Sequence, residues 1–208
     1  MSATSTVALT RRLEVVPETK LELVLTLPDL HGTPLYQLGT RTTAGVLTQI
    51  VAGAHTSVVL AAPFMQAGFG LSTGPIAIAV EQALARGVQV EILGTRDGLA
   101  TLDTHRLCRR STSVLRLWEP SAHVENPQRL GSHAKFCVVD ERIAYVGSAN
   151  FTGPGLSTQL EVGLLTEGPV AQQIGEFWEL ACKTGLFVEV RSVVGRVIAR
   201  PSEVVVPI

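Results

Sequence analysis

The stretch GSHAKFCVVD, residues 131–140, places His133 and Lys135 two positions apart at the start of an apolar run. The apolar run predicts a buried strand. Burying an unpaired charge in such a strand is costly, so the presence of His133 and Lys135 at its start needs a functional or structural explanation. Side chains alternate along a strand, and His133 and Lys135 should therefore share one face while Phe136 and Val138 share the other. The second face is apolar and is expected to pack beneath a helix.

A second polar stretch, GSAN at residues 147–150, follows across a predicted β-hairpin. The start of the first strand of a short hairpin lies beside the end of the second, which brings Ser148 and Asn150 towards His133 and Lys135. Gly147 would allow a close approach of the backbone. An imidazole, an ammonium, a hydroxyl and an amide together suit an anionic tetrahedral group. The hairpin strands offer too few carboxylates or histidines for a metal centre, so we expect a site without metal or other cofactor.

The spacing of these residues resembles the signature of the phospholipase D superfamily. That signature is His-x-Lys, four residues, Asp, six residues and Gly-Ser-x-Asn, and it is matched at each position by His133, Lys135, Asp140, Gly147, Ser148 and Asn150. The resemblance implies that the motif histidine attacks phosphorus to give a phosphohistidine, and that a second motif histidine protonates the leaving oxygen.

The resemblance also implies roles for the other site residues. Lys135 and Asn150 would hold the phosphoryl oxygens, and Ser148 would add a contact. Asp140, in the turn, would be more structural than chemical. Family members carry an acid on a later strand that orients a catalytic histidine, and Glu161 in QLEVGLL matches that position.

The chain carries a single copy of the motif, since no other histidine is followed by Lys two residues later. Resemblance to the short bacterial members therefore implies a homodimer in which His133 of each subunit meets the other across a two-fold axis. With APF and ALARGVQVEIL, the chain looks most like the phospholipase D-like proteins of bacterial DISARM antiphage systems. That placement implies other defence-system proteins as partners.

The leading functional prediction is a homodimeric, metal-independent phosphodiesterase that acts on nucleic acid, with DNA favoured. Two alternatives stay open: a phospholipid-directed phosphodiesterase, and a nucleic-acid-binding or assembly subunit of a defence complex with little or no catalysis. A net charge of −1 argues against a protein that coats nucleic acid over its whole surface, but it permits a local basic groove. Candidates for such a groove, or for a solvated helix face, are Arg106, Arg109, Arg110 and Arg116. His123 and Arg129 precede the motif and could lie at the mouth of the site.

The pattern of apolar residues predicts an α/β fold with a mixed, mostly parallel central sheet flanked by helices, as in phospholipase D-like proteins. Strands are predicted at 57–64, 88–94, 113–119, 133–140, 143–150 and 160–166, and helices at 44–53, 74–87, 99–111 and 169–185. We expect an N-terminal arm at 1–40, helical or irregular over its first 30 residues, a main domain at 41–186 and a β-prone tail at 187–208.

The composition is that of a globular protein, with 46% hydrophobic and 17% charged residues over 208 positions. No apolar run is long enough for a membrane span and the N-terminus lacks the pattern of a signal peptide, which predicts a cytoplasmic location and no contact with membranes. The three cysteines are widely spaced and indicate neither a disulfide framework nor a zinc site.

Overall fold

The structure, a computed structural model, describes residues 18–29, 34–123 and 131–194 of the chain. The strands in these ranges are β1 Lys20–Thr26, β2 Ser57–Ala61, β3 Gln89–Leu93, β4 Val114–Pro120, β5 Phe136–Val139, β6 Ile143–Gly147, β7 Glu161–Glu167 and β8 Phe187–Val194. The helices are α1 Thr43–Ala52, α2 Pro75–Ala85, α3 Arg96–Ala100, α4 Thr104–Leu107, α5 Gly153–Ser157 and α6 Pro169–Lys183, with a 3-10 helix at Pro34–Leu38.

The strands form one sheet in the order β1-β7-β6-β5-β2-β3-β4-β8. Among the described pairings, β2–β3 and β3–β4 are parallel and all others are antiparallel, so the prediction of a mostly parallel sheet is wrong. The expected alternation of strand and helix holds from β2 to β4. After β4 the chain runs through β5, β6 and β7 as neighbouring antiparallel strands, and both edge strands also pair antiparallel.

The segment before residue 30 also departs from its prediction. The sequence predicts a helical or irregular arm there, but Lys20–Thr26 forms an edge strand that pairs with β7. At the other end of the sheet, Phe187–Val194 pairs with β4. The domain limits at 40 and 186 stay predictions, although the segments on both sides of the main domain each add a strand to its sheet. Residues 1–17 and the final stretch PSEVVVPI lie outside the described residues.

The helices begin and end where local chemistry favours it. The Thr42 side chain accepts a hydrogen bond from the Gly45 N–H at the start of α1, and Pro75 occupies the first turn of α2. One long helix predicted at 99–111 is instead two short ones, α3 and α4. The carboxylate of Asp103 accepts a hydrogen bond from the Arg106 N–H and so starts α4 anew, because Asp favours the cap over the helix interior.

The sheet separates two apolar layers. One face packs against α1, α2 and the shorter helices, and includes Leu47, Val80 and Tyr145. The other face packs against α6, where Trp178 lies among Phe136 and other buried residues, as expected for that side of β5. Within the described parts of the chain, no helix has the length and apolar character needed to cross a membrane.

Candidate active site

The sheet topology brings the predicted site residues, with the exception of Asp140, to one edge of the sheet. Phe136 pairs antiparallel with Ala61, so that β5 begins where β2 ends. Gly147 pairs with Gly163, so that β6 ends and β7 begins at this same place. We call this the site edge; it comprises the ends of β1, β2, β3, β4 and β6 and the beginnings of β5, β7 and β8.

His133 and Lys135 precede β5 at the site edge and lie in contact. His133 is exposed, whereas Lys135 is only 6% exposed. The Lys135 Nζ lies 3.2 and 3.3 Å from the two ring nitrogens of His133 and donates a hydrogen bond of 3.0 Å to its carbonyl oxygen. Burial lowers the pKa of the Lys135 ammonium, and the nearby Glu161 carboxylate opposes that effect. No ion pair among the described residues includes Lys135, which leaves its charge available to an anion.

Ser148 and Glu161 join the end of β6 to the start of β7. The Ser148 hydroxyl donates a short hydrogen bond to the Glu161 carboxylate and accepts one of 3.1 Å from the Val162 N–H. Glu161 is 8% exposed, so this contact partly compensates its burial. Among the hydrogen bonds of the described residues, none links Glu161 to His133. Orientation of a histidine by Glu161 therefore stays a prediction.

Asn150 lies two residues beyond Ser148, where the chain turns from β6 towards α5. Its position is fixed by the next residue, because the Phe151 N–H donates to the Phe64 carbonyl oxygen after β2. The side-chain oxygen of Asn150 is buried and has no hydrogen-bond partner within the described residues. Buried polar atoms are rarely left in that state, so this oxygen, an acceptor, calls for a donor from water or a ligand, whereas only the NH2 group of the same amide could donate to a phosphate oxygen.

Tyr145 supports this edge from below and was not singled out from the sequence. The residue is fully buried, and its ring occupies the space beside Gly147 and Gly163. A Cβ at Gly147 would lie 2.3 Å from the Tyr145 hydroxyl oxygen, and one at Gly163 would lie 2.4 Å from the ring carbon Cε2. The motif glycine therefore makes room for an aromatic ring. The signal in the sequence was a Tyr two residues before a Gly on one strand, with a second Gly on the next.

Asp140 lies at the far end of β5 from Lys135. Its carboxylate accepts hydrogen bonds of 2.7 to 2.9 Å from the backbone N–H groups of His55, Thr56 and Ser57 and from the Thr56 hydroxyl. Asp140 and Glu141 have φ values of 54° and 53°, and they are the first two of the three residues that separate Val139 from its partner Ile143. Asp140 thus ties the β5–β6 hairpin to the start of β2.

The arginines proposed as a groove do not gather at the site edge. Arg106 pairs with Glu81 at 2.7 Å, and Arg116 lies 3.9 Å from Glu189. Arg109 and Arg110 precede β4 and therefore lie towards the opposite edge of the sheet. Only Arg106 lies on a helix, so the four side chains form neither a groove at the site edge nor one solvated helix face.

A different arginine lies at the site edge. Arg96 follows β3, and its highly exposed guanidinium lies 3.4 Å from the carboxylate of Glu119 at the end of β4. Sequence reasoning missed it, since nothing in the local pattern separates Arg96 from other surface arginines. His123 is exposed just after β4, and Arg129 lies outside the described residues.

A search of protein families finds one whose description is "Cardiolipin synthase, PLD-like domain", and its model matches residues 47–180. This range contains all the site residues predicted from the motif. A search of curated proteins finds no match.

Several solved structures have the same fold as this chain. Nuc from Salmonella typhimurium, described as a phospholipase D family member, aligns with a TM-score of 0.54 and 19% identity over 84% of this chain and 99% of that one. NucT from Helicobacter pylori aligns with a TM-score of 0.55 and 17% identity over 81% of this chain and 98% of that one. The phosphatidylserine synthase of Haemophilus influenzae Rd KW20 aligns with a TM-score of 0.54 and 16% identity. The alignment covers 83% of this chain but 40% of the synthase. At these identities the likeness shows a shared fold.

Proposed function

The chain belongs to the family of phospholipase D-like phosphodiesterases, and from this membership we propose that it hydrolyses phosphodiester bonds in nucleic acid with His133 as the nucleophile. The observation that carries the proposal is the contact at the site edge between an exposed imidazole and a buried ammonium that forms no ion pair within the described residues. Lys135 offers a charge that a phosphate oxygen can neutralise. His133, more exposed, is accessible to the phosphorus atom.

The first step forms a covalent intermediate. A ring nitrogen of His133 attacks phosphorus, the N–P bond forms, and the bond from phosphorus to the leaving oxygen breaks. Lys135 and the amide NH2 of Asn150 stabilise the charge on the non-bridging oxygens. Ser148 adds a contact when its one hydroxyl proton turns from the Glu161 carboxylate to a phosphate oxygen. These groups supply positioning and electrostatic stabilisation without a metal ion.

The second step requires another acid–base group. One histidine cannot be nucleophile and proton donor at the same time, and the chain has a single motif, so the partner's His133 in a homodimer protonates the leaving oxygen. The same imidazole then takes a proton from water as its oxygen attacks phosphorus. The N–P bond breaks and His133 is restored.

Nucleic acid, with DNA favoured, is the proposed substrate because the site edge offers a further cation along the line of strands. Arg96 lies two strands from β5, at roughly 10 Å across the sheet, which is within reach of a neighbouring phosphate on an extended strand. A role in antiphage defence, beside other defence-system proteins, is the finer part of this proposal and rests on the resemblance to DISARM proteins.

The test is cleavage of labelled single-stranded DNA in excess EDTA by the wild type, by His133→Ala and by His105→Ala. His105 is an exposed histidine on α4 and serves as a matched control. We expect wild type and His105→Ala to cleave equally and His133→Ala to lose turnover while its circular dichroism is unchanged. Rapid denaturation without acid during turnover should also trap His133 joined through phosphorus to the retained DNA fragment, visible as an acid-labile mass increase equal to that fragment.

Two outcomes would reject the proposal. Unchanged hydrolysis by His133→Ala would show that His133 is not the nucleophile. Salt-dependent DNA binding by a dimeric wild type that never cleaves would instead favour a binding or assembly subunit.

A phospholipid substrate is the second candidate, and one feature of the fold favours it. An apolar groove of about 540 Å³ lies between α1, α2 and α5, lined by Phe69, Ile76 and Leu156 among others. Since α5 begins three residues after Asn150, an acyl chain in this groove could leave its phosphodiester near the site edge. Release of headgroup from phosphatidylglycerol vesicles, with no cleavage of DNA, would support this candidate over the first.

A further inference from the structure

Phe64 is an exposed aromatic residue at the site edge to which the proposed reaction gives no role. It follows β2 closely, and its side chain is 42% exposed, whereas its neighbours Pro63 and Met65 are buried. Single exposed apolar residues are common on protein surfaces, so exposure alone assigns nothing to this ring. Phe64 differs from other exposed apolar residues in its position among the groups that would bind phosphate.

The Phe64 side chain lies beside that of Asn150. Met65 and Phe151 form a parallel β-bridge with both side chains in the core, and the Phe151 N–H donates a hydrogen bond of 3.2 Å to the Phe64 carbonyl oxygen. Phe64 and Asn150 each precede a member of this bridge by one residue, so their side chains share the face that is turned away from the core. Paired strands run about 5 Å apart, which makes Phe64 the direct neighbour of the amide assigned to the phosphate.

On its other side Phe64 is connected to Arg96. The Pro63 carbonyl oxygen accepts hydrogen bonds of 3.3 Å from the Thr95 N–H and 2.7 Å from the Thr95 hydroxyl, and Arg96 is the next residue. The strand order agrees, because β2 lies between β5 and β3 and Phe64 therefore lies between Lys135 and Arg96 along the site edge. Hydrogen bonds on both sides hold the backbone at Phe64 in place, so a ligand that contacts the ring orders little of the chain.

We propose that Phe64 is a stacking platform for a nucleobase of the substrate, next to the scissile phosphate. Lys135 and Asn150 hold that phosphate, Arg96 holds a neighbouring one, and the base between them lies against the exposed ring. Consecutive phosphates of a nucleic acid are joined through a sugar that carries one base, so an aromatic ring between two phosphate sites meets a base. This inference rests on the proposed function and deepens it, since it makes the substrate a single strand.

Stacking on Phe64 requires an unpaired base. In a duplex each base is paired and lies between its neighbours, whereas the bases of a single strand can turn outward onto an aromatic side chain. Every base has a π-face, so this contact favours single strands without selecting a sequence. A phospholipid carries no base, and the ring therefore favours nucleic acid over a lipid headgroup.

The test measures binding by the His133→Ala protein, which is expected to bind without cleaving. Its ligands are fluorescein-labelled oligothymidylate and an abasic strand of equal length and charge, compared by fluorescence anisotropy at one salt concentration. In this parent, Phe64→Ala removes the ring, Phe64→Leu keeps an apolar side chain without a ring, and Phe64→Tyr keeps the ring. Ile78→Ala is the matched control, because Ile78 is 46% exposed and lies on α2 in the helical layer. Circular dichroism checks the folding of each variant.

We expect Phe64→Ala and Phe64→Leu to weaken binding to oligothymidylate by about 5-fold or more and to leave binding to the abasic strand unchanged. Phe64→Tyr and Ile78→Ala should bind both strands as the parent does. An equal loss on the two strands would overturn the inference, since it would show a contact with the backbone or a structural role. A parent that binds the two strands equally, or binds neither, would overturn it as well.

Vesicles of phosphatidylglycerol are the third ligand, because an exposed ring near cations also suits a lipid surface. Vesicle binding that is lost in Phe64→Ala while oligothymidylate binding persists would overturn the inference in favour of a lipid-facing ring. The subsite and the reaction fail separately. A wild type that never cleaves, with base-dependent binding that needs Phe64, would support the subsite and reject the proposed function. A wild type that cleaves through His133, with equal losses on the two strands in Phe64→Ala, would do the reverse.

Discussion

Replacement of Asp140 should lower stability while leaving chemistry intact. The carboxylate accepts four hydrogen bonds that hold the β5–β6 hairpin on the start of β2. It lies five residues from Lys135, about 17 Å along a strand, so it cannot contact a group bound at the site edge. Asp140→Asn is the cleanest change, because Asn tolerates the left-handed backbone of this turn and removes only the charge and one acceptor.

The expected loss follows from the exposure of the donors. A hydrogen bond to a charged acceptor contributes about 1.5–3 kcal/mol, but His55 and Thr56 are exposed and their N–H groups can bond to water instead. Only the Ser57 N–H is half-buried. We therefore expect Asp140→Asn to lower the free energy of unfolding by about 1–2 kcal/mol. Asp140→Ala should cost about 1 kcal/mol more, since Ala is strained at a φ of 54°.

The loss should depend on pH in a defined direction. Burial alone would raise the pKa of Asp140, but hydrogen bonds from Ser57, Thr56 and His55 outweigh it and hold the pKa below its ordinary value. The charged form is thus favoured in the folded state, and its contribution is present above the unfolded pKa of about 3.9 and lost as pH falls through the folded pKa. The difference between wild type and Asp140→Asn should be constant from about pH 7 to 5 and shrink below about pH 4.

The assay is urea unfolding at one fixed protein concentration, because dimerisation makes apparent stability depend on concentration. Turnover is measured on the same samples below the unfolding transition. An Asp140→Asn protein of wild-type stability that has lost turnover would refute the structural role. A stability difference that grows as pH falls would refute the argument from the hydrogen bonds.

Two further predictions concern the floor and the rim of the site. Gly163→Ala should destabilise the protein by about 1–3 kcal/mol in urea unfolding, because the added Cβ would overlap the Tyr145 ring. Gly53→Ala is the control and should change stability far less, since the nearest atom to its added Cβ lies at 3.5 Å. Equal losses in the two variants would contradict this view of Tyr145. Arg96→Ala should reduce the slope of log KM against log salt concentration for single-stranded DNA by about 0.7, as one lost phosphate contact requires, while Arg109→Ala leaves the slope as it is. An unchanged slope in Arg96→Ala would show that Arg96 does not contact a phosphate of the substrate.

The juxtaposition of the motif residues was predictable because it depends on local structure. His133 and Lys135 precede one strand of a hairpin, Ser148 follows the other, and the three-residue turn that begins at Asp140 sets the register between them. Alternation along β5 also predicted its apolar side correctly, since Phe136 and Val138 pack against α6. No knowledge of the rest of the sheet was required for these inferences.

Features that depend on distant parts of the chain were missed. The parallel or antiparallel sense of a pair is set by which strands become neighbours, and β5 inserts beside β2 rather than beside β4. Lys20 and Glu22 alternate with leucines as a half-buried strand does, but their charges suggested an arm. The position of Arg96 near the motif residues follows only from the order of the strands, because β3 ends at the same edge at which β5 begins.

The antiparallel closure of the sheet by β1 has a consequence for synthesis. β1 is made first, yet its partner β7 emerges roughly 140 residues later, a delay of about 7–30 s at typical rates of translation. During that time a strand carrying Leu21, Leu23 and Leu25 has no ladder to join, and such a segment readily associates with other chains. Lys20 and Glu22, interleaved with those leucines, are placed to keep the waiting strand solvated. The exposed ion pair between Lys20 and Glu167 can form only once β7 has been made, so Lys20 has no partner on β7 while the strand waits.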